Sequence, residues 1–147
     1  MKQKISLRKI YSLVGSQIVQ NTRTGNIVGE FAEELMADYY KGTPAPVSQK
    51  GYDFDANGKR YQVKARLAKG KRVTGNLSDI HFWDFDFLIV VFFDANGLIT
   101  LAKEISVEEA KKIAIKNGTR HIISSSSVRK ITNCKDITNS VKITYNL

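Results

Sequence analysis

Three polar side chains close to an Asn-Gly dipeptide have types and spacing suited to metal and phosphate chemistry. Asp53 precedes Asn57-Gly58, and Gln62 and Lys64 follow it, within two runs that alternate polar and apolar residues. Such runs around Asn-Gly predict a β-hairpin, because a two-residue type I′ turn needs φ > 0 at both central positions. Counting outward from the turn places Asp53 opposite Gln62, with Lys64 on the same face. A carboxylate and an amide oxygen can hold a hard cation, and a lysine can stabilise developing negative charge.

The same register assigns the other hairpin positions to two faces. Asp55 lies opposite Arg60 on the polar face, where a cross-strand ion pair accounts for this aspartate without a role in chemistry. Phe54 lies opposite Tyr61 on the other face. We therefore expect an apolar face directed toward a core, made of Tyr52, Phe54, Tyr61, Val63 and Ala65.

The elements that must position the hairpin predict an α/β fold with a mixed central sheet flanked by helices. One domain is expected over residues 1–147, with its core at about 25–105 and a helix and short strands over 106–147. Apolar periodicity, turn residues and a capping box at Ser106 locate the individual elements. They are helices over 3–20, 27–40 and from Ser106 to near Gly118, an irregular stretch over 67–84, a doubly buried strand over 86–93, a strand over 98–102, and short strands and turns over 120–147.

The hairpin and the helix before it resemble the PD-(D/E)XK nuclease superfamily, in its Gln-x-Lys variant. The pattern is Asp53, eight intervening residues, then Gln62-Val63-Lys64. The sequence departs from the strict motif where Gly51-Tyr52 replaces the usual proline and where Gln62 replaces an acid. In the helix, Gly29-Glu30-Phe31-Ala32 resembles a segment of the family that supplies a further acid.

The resemblance implies a restriction-endonuclease-like fold and a set of site residues. Its catalytic residues would be Glu30, Asp53, Gln62 and Lys64. Its metal ligands would be Glu30, Asp53, Gln62 and the backbone carbonyl of Val63, around Mg²⁺, with Mn²⁺ expected to substitute. Glu34 is the alternative to Glu30, and acids in a first helical turn are also favoured by the helix dipole alone.

The charge of the chain favours a polyanionic partner. Lysine and arginine outnumber aspartate and glutamate by 23 to 14, which gives a formal net charge of +9. A basic run leaves the second hairpin strand and would contact phosphates without reading base sequence, namely Arg66, Lys69, Lys71 and Arg72. Charge alone indicates DNA or RNA, and with the nuclease resemblance we expect DNA, double-stranded or branched, as the partner.

Cysteine, histidine and aromatic residues, together with the apolar runs, limit the classes of function that the sequence allows. Cys134 is the single cysteine, which leaves no intrachain disulfide and suits a reducing cytoplasm. No apolar run approaches the length of a membrane helix, and no secretory signal is visible. His81 and His121 are isolated, so structural roles are expected. Core packing explains the aromatic cluster of Phe82, Trp83, Phe85 and Phe87 better than base stacking does.

These observations together lead to the expectation of a small Mg²⁺-dependent DNA endonuclease of the restriction type. A homodimer is expected, because cutting a duplex needs two sites and the chain carries one. A Holliday-junction resolvase or a repair nuclease is the alternative within the same class. A nucleic-acid-binding module without catalysis and an RNA-cleaving toxin domain are alternatives from other classes.

Overall fold

The computed structural model describes residues 25–46 and 51–145, and the helix predicted over 3–20 lies outside them. No helix within the described residues is long and apolar enough to cross a membrane. The elements, in chain order, are α1 (Gly25–Tyr39), β1 (Thr43–Pro44), β2 (Phe54–Ala56), β3 (Lys59–Leu67), β4 (Phe87–Phe93), β5 (Ile99–Ser106), α2 (Val107–Ile113), β6 (Ile115–Asn117), β7 (Arg120–Ile122), α3 (Ser125–Lys130), β8 (Lys135–Asp136) and α4 (Thr138–Tyr145).

The fold is a mixed sheet flanked by helices, as the sequence predicts. Its six described strands have the order β1-β2-β3-β4-β5-β8. Among them, β3 and β4 pair in parallel, and the other neighbours are antiparallel. Strands β6 and β7 form a separate two-stranded hairpin. The long connection from β3 to β4 supplies the crossover that a parallel pair requires.

Strand β4 is the centre of the core and is buried on both faces, as its unbroken apolar sequence predicts. Ile89, Val91 and Phe93 pack on one side with α1 and α4. The alternate side chains Leu88, Val90 and Phe92 pack on the other side with α2, α3 and the connection from β3 to β4. Two layers of apolar side chains therefore enclose the sheet and fix the strands that carry the candidate site.

The predicted hairpin register is confirmed from the turn to Phe54–Tyr61, but Asp53 donates its backbone amide to the Tyr61 carbonyl and does not pair with Gln62 in the ladder. Phe54 lies opposite Tyr61, and Asp55 lies opposite Arg60. Asn57 and Gly58 adopt φ values of 52° and 77°, as a type I′ turn requires. The Phe54 and Tyr61 rings stack with their centroids 4.8 Å apart and an interplanar angle of 4°. This aromatic pair on the core face holds the two strands in register.

The C-terminal third differs from the sequence-based expectation. Strand β5 extends to Ser106 rather than ending at 102, and the Ser106 side chain caps α2 by accepting from the Glu109 amide. Helix α2 then ends at Ile113 rather than near Gly118, because Ile115–Asn117 pairs with Arg120–Ile122 around a turn in which Gly118 has φ of 64°. Two short helices, α3 and α4, occupy a stretch for which only strands and turns were predicted.

Candidate active site

The candidate site lies at the edge of the sheet where β2 separates from β3. The pairing of β2 with β3 stops at Phe54 and Tyr61, so no described strand pairs with the later part of β3 on that side. Helix α1 packs across this edge, and Asp53 directly precedes β2. This open edge therefore brings together side chains of α1, of Asp53 just before β2, and of the middle of β3.

Asp53 is held by the Gln62 side chain, which the register predicts, and by the backbone amide of Val63, which it does not. Its carboxylate oxygen Oδ2 accepts from Gln62 Nε2 at 2.9 Å and from the Val63 backbone amide at 2.7 Å. Burial raises the pKa of Asp53, while the Val63 amide and the Lys64 charge oppose that rise. Both hydrogen bonds end on Oδ2, so Oδ1 is the oxygen that remains for a cation.

Lys64 is half-buried, its charge acts on the Asp53 carboxylate, and its ammonium group is held by the connection from β3 to β4. Its Nζ donates to Ser78 Oγ at 2.9 Å and to the Asp79 backbone carbonyl at 3.2 Å. Burial lowers the pKa of Lys64, and the charges of Asp53, Glu33 and Asp79 counteract that effect. The ammonium group is therefore fixed in position and partly desolvated, whereas most surface lysines are mobile and hydrated.

The connection between β3 and β4 is irregular, as predicted, but it is anchored where it meets Lys64. The Asp79 carboxylate forms an ion pair with Arg120 at 3.0 Å. The next residue, Ile80, exchanges two backbone hydrogen bonds with His121 of β7, at 2.9 and 3.0 Å. The β6–β7 hairpin thus supports the segment that holds Lys64, and no pattern in the sequence indicates this role.

Among the acids of α1, Glu33 has the burial and the pKa that are most typical of a functional residue. It is half-buried, whereas Glu30 and Glu34 are exposed. Desolvation, followed by the charges of Asp53 and Glu30, raises the pKa of Glu33 to about 7. Glu30 and Glu33 both line the cavity that contains Gln62 and Lys64, whereas the fallback candidate Glu34 lines only the neighbouring cavity beside Asp53.

The oxygen ligands available here suit Mg²⁺ better than they suit the four-ligand site of a structural zinc ion. Within residues 25–46 and 51–145, no three His, Cys, Asp or Glu side chains form a ready-made metal cluster. A structural zinc site needs four such ligands, but Mg²⁺ takes one or two carboxylates and keeps several waters. Asp53 and Glu33 could supply two carboxylates to such a cation. The Val63 carbonyl could supply a third oxygen, because the N–H and C=O of one strand residue point to the same edge and the Val63 N–H already faces Asp53.

The Gln62 side chain makes a hydrogen bond that a carboxylate at this position could not make. Its Nε2 donates to Asp53, so the side chain stabilises an ionised neighbour, where a second carboxylate would repel it. Its Oε1 is the atom that remains to face a cation or a ligand water. The structure thus gives Gln62 a positioning contact on Asp53.

The expected Asp55–Arg60 ion pair is not formed in the described structure. The two residues are opposite each other, as predicted, and both are exposed. Among the described residues, the ion pairs are Lys112–Glu109 and Arg120–Asp79. The Arg60 guanidinium instead lies over the Tyr52 ring, 4.7 Å from its centroid. The Tyr52 ring is a partly desolvated partner for the Arg60 guanidinium. An ion pair with Asp55 in full solvent would add little stability.

The basic run is exposed where it leaves β3. Arg66 lines the cavity that contains Lys64, and its guanidinium reaches toward Gly75. Lys69, Lys71 and Arg72 lie beyond it on the irregular connection and are exposed to solvent. These cations therefore extend outward from the candidate site along the chain.

The predicted packing of the aromatic cluster is correct for part of it only. Phe85 is buried and Trp83 is half-buried, and their rings lie 5.7 Å apart. Phe82, in contrast, is 50% exposed, and His81 is exposed beside it. The interpretation of Phe82 as a core residue was wrong, because its side chain is half exposed, whereas Ile80 and Phe85 of the same segment are buried.

No protein-family model matches the sequence, and no curated protein matches it. What the chain does must therefore be inferred from its own side chains and their arrangement.

Proposed function

We propose that the protein is a metal-dependent nuclease with a restriction-endonuclease-like fold, which hydrolyses phosphodiester bonds in DNA. The observation that carries this proposal is the arrangement of Asp53 and Lys64 at the open edge of β3, with Gln62 holding the aspartate and Glu33 facing both charges. The parallel β3–β4 pair, the β2–β3 hairpin and the helix packed across them support the fold assignment.

Each side chain has a role that follows from its contacts. Asp53, Glu33 and the Val63 carbonyl would hold Mg²⁺, which supplies Lewis-acid stabilisation of the phosphoryl oxygens when it is bound. Two partly buried acids with raised pKa values in close proximity favour such a cation, since it relieves their mutual repulsion. Lys64 would stabilise charge on the scissile phosphate and orient the attacking water. Its lowered pKa moves the ammonium group toward the range in which it can exchange a proton.

A cleavage assay tests the proposal directly. The full chain is incubated with supercoiled plasmid, a four-way junction and tRNA, each with Mg²⁺, with Mn²⁺ and with a chelator. We expect cleavage of DNA that depends on the divalent cation. Cleavage of tRNA alone would replace this proposal by the RNA-cleaving alternative. No cleavage of any substrate, in the presence of DNA binding, would leave a binding module without catalysis.

The charge of the site and the charge of the surrounding surface are also compatible with the alternative functions. The neutral Gln62 removes one negative charge from the site, which is compatible with binding without hydrolysis. The exposed basic surface is compatible with a restriction-type enzyme, a junction resolvase or a repair nuclease. A duplex cut would require two copies of the site, so we propose a homodimer on DNA, which sedimentation of the protein–DNA complex would test.

The pKa of Glu33 gives the proposed cation binding a distinct pH dependence. The folded pKa of about 7 lies above the ordinary value of 4.5, so this group is largely protonated at pH 6 and must lose its proton when a cation binds. We expect Mg²⁺ affinity, measured by calorimetry, to rise by up to about tenfold per pH unit below pH 7 and to level off above it. The Glu33→Gln variant should lose this dependence.

The exposed Glu34 offers a matched control. Glu34→Gln removes the same charge from the same helix and should keep the pH profile. The free energy of unfolding provides an independent readout. Since the folded pKa of Glu33 is raised, its contribution to stability is present below pH 4.5 and is lost as the pH rises through 7. Equal pH profiles in the Glu33 variant and the wild type would remove Glu33 from the site.

Binding to DNA should depend steeply on salt, because each phosphate contact releases condensed counterions. Replacing Lys69, Lys71 and Arg72 together by alanine should reduce the slope of log affinity against log salt by about three, roughly one per lost contact. Fluorescence anisotropy with a labelled duplex, in a chelator, measures this slope without cleavage.

A second triple variant controls for the general loss of positive charge. It removes three lysines of the C-terminal segment, distant in sequence from the candidate site, namely Lys130, Lys135 and Lys142. We expect this variant to keep nearly the full salt slope. Equal slopes in the two triple variants would place the DNA surface elsewhere.

A further inference from the structure

A second cavity borders Lys64, and none of its lining residues belongs to α1. Its volume is about 520 Å³, and Gln62 and Lys64 form one wall. The opposite wall is formed by the segment from Asp79 to Phe82. The group proposed to contact the scissile phosphate therefore also borders a space large enough for part of a nucleotide.

Phe82 is the apolar feature of this cavity. Its side chain is 50% exposed, although the neighbouring Ile80 is only 3% exposed. The His81 ring lies beside it, with the two ring centroids 6.5 Å apart. A flat apolar face and an imidazole beside a lysine match the chemistry of a nucleotide, which presents a planar base next to a charged phosphate.

The backbone that carries these rings is fixed before any ligand arrives. Ile80 exchanges two hydrogen bonds with His121, and the Asp79 side chain is paired with Arg120. Directly after Phe82 in the chain, Trp83 packs against both Phe85 and His121, with ring centroids 5.7 and 5.2 Å away. An exposed aromatic ring on an anchored segment gives more affinity than one on a mobile loop, because less ordering is needed on binding.

From this placement we infer that Phe82, assisted by His81, stacks against an unpaired base of the DNA next to the phosphate at Lys64. The inference rests on the proposed function, and it specifies the substrate. A base inside a continuous duplex is stacked on its neighbours and cannot reach a side chain in this cavity. The preferred substrate is therefore DNA with an unpaired nucleotide at the cut, as in a flap, a mismatch or a junction. Arg66 lines the neighbouring cavity that shares Lys64, and its charge complements a phosphate next to that base.

The test compares two labelled DNAs of equal length and charge, one a continuous duplex and one with a splayed single-stranded arm. Affinity is measured by anisotropy in a chelator, so that binding is separated from cleavage. We expect the wild-type protein to bind the splayed DNA more tightly. Phe82→Ala should weaken binding to the splayed DNA by about tenfold and leave duplex binding nearly unchanged, since base–aromatic stacking has an effect of this size. Phe82→Trp should retain the preference for splayed DNA.

Ile143→Ala is a matched control, since Ile143 is an exposed large apolar side chain on α4 that lines none of these cavities. It should change neither affinity. An equal loss on both DNAs in the Phe82→Ala variant would indicate a structural role and overturn the inference, as would no loss on either. Selective loss on splayed DNA together with no Mg²⁺-dependent cleavage would support the stacking site and refute the nuclease. Selective loss together with cleavage supports both, and no DNA binding at all refutes both.

Discussion

Replacing Asp53 by asparagine should lower DNA cleavage by at least about a thousandfold and abolish Mg²⁺ binding. The carboxylate is the best-positioned anionic ligand of the site, and Lewis-acid stabilisation by the cation contributes several kcal/mol to such reactions. The amide of the Asp53→Asn variant would keep an oxygen that can accept from Gln62 and Val63, so the hairpin should stay folded. Single-turnover cleavage and calorimetry with Mg²⁺ or Mn²⁺ measure the two effects separately.

Asp55, two residues further along the chain, provides the control for this prediction. It is exposed and forms no ion pair within the described part of the chain, so Asp55→Asn should retain most of the turnover. An exposed pair would in any case contribute well under about 1 kcal/mol. If Asp55→Asn abolished cleavage while Asp53→Asn did not, the cation would have to bind at the solvent-exposed end of β2.

Local sequence was sufficient to predict the hairpin because its determinants are local. Asn57-Gly58 admits the two positive φ angles, and once the turn is fixed the pairs from Ala56–Lys59 to Phe54–Tyr61 follow from a period of two. The buried strand β4 could be predicted for a similar reason, since seven consecutive apolar residues can be satisfied only between two packed faces.

The choice among the acids of α1 depends on tertiary packing. The resemblance to a nuclease segment pointed to Glu30, although the structure leaves this residue exposed and half-buries Glu33. Both residues line the cavity that contains Gln62 and Lys64, so Glu30 stays a candidate beside Glu33.

The partners of Lys64 could not be predicted, because they come from contacts distant in sequence. Ser78 and Asp79 lie 14 and 15 residues away on an irregular segment, where the hydrophobic pattern gives no period to follow. Their position is set by the β6–β7 hairpin, which itself replaces a stretch predicted in part as helix. The exposure of Phe82 has the same origin, since the anchored segment turns this ring outward.

Replacing Lys64 by alanine should reduce cleavage by at least about a hundredfold, because a preorganised cation aimed at developing charge commonly has an effect of this size. The fold should tolerate the change. Ser78, which accepts from Nζ, is exposed, so water can replace the lost donor. DNA affinity measured in a chelator should fall by no more than the loss of one phosphate contact. The effect should therefore appear in the rate of the chemical step rather than in binding or in the thermal unfolding temperature.

Lys59→Ala is the matched control on the same strand, since Lys59 is exposed at the turn end of β3 and lines none of the cavities around the site. It removes an equal charge and should leave the cleavage rate nearly unchanged. The Lys64→Arg variant tests whether a positive charge alone is sufficient or whether the shape of the ammonium group is also needed. A planar guanidinium cannot occupy the position of a compact ammonium group between Asp53 and Ser78, so we expect little recovery of activity. Full activity in purified, folded Lys64→Ala protein would contradict the proposed site, because no other described lysine lies beside the carboxylate of Asp53 with its pKa lowered by burial.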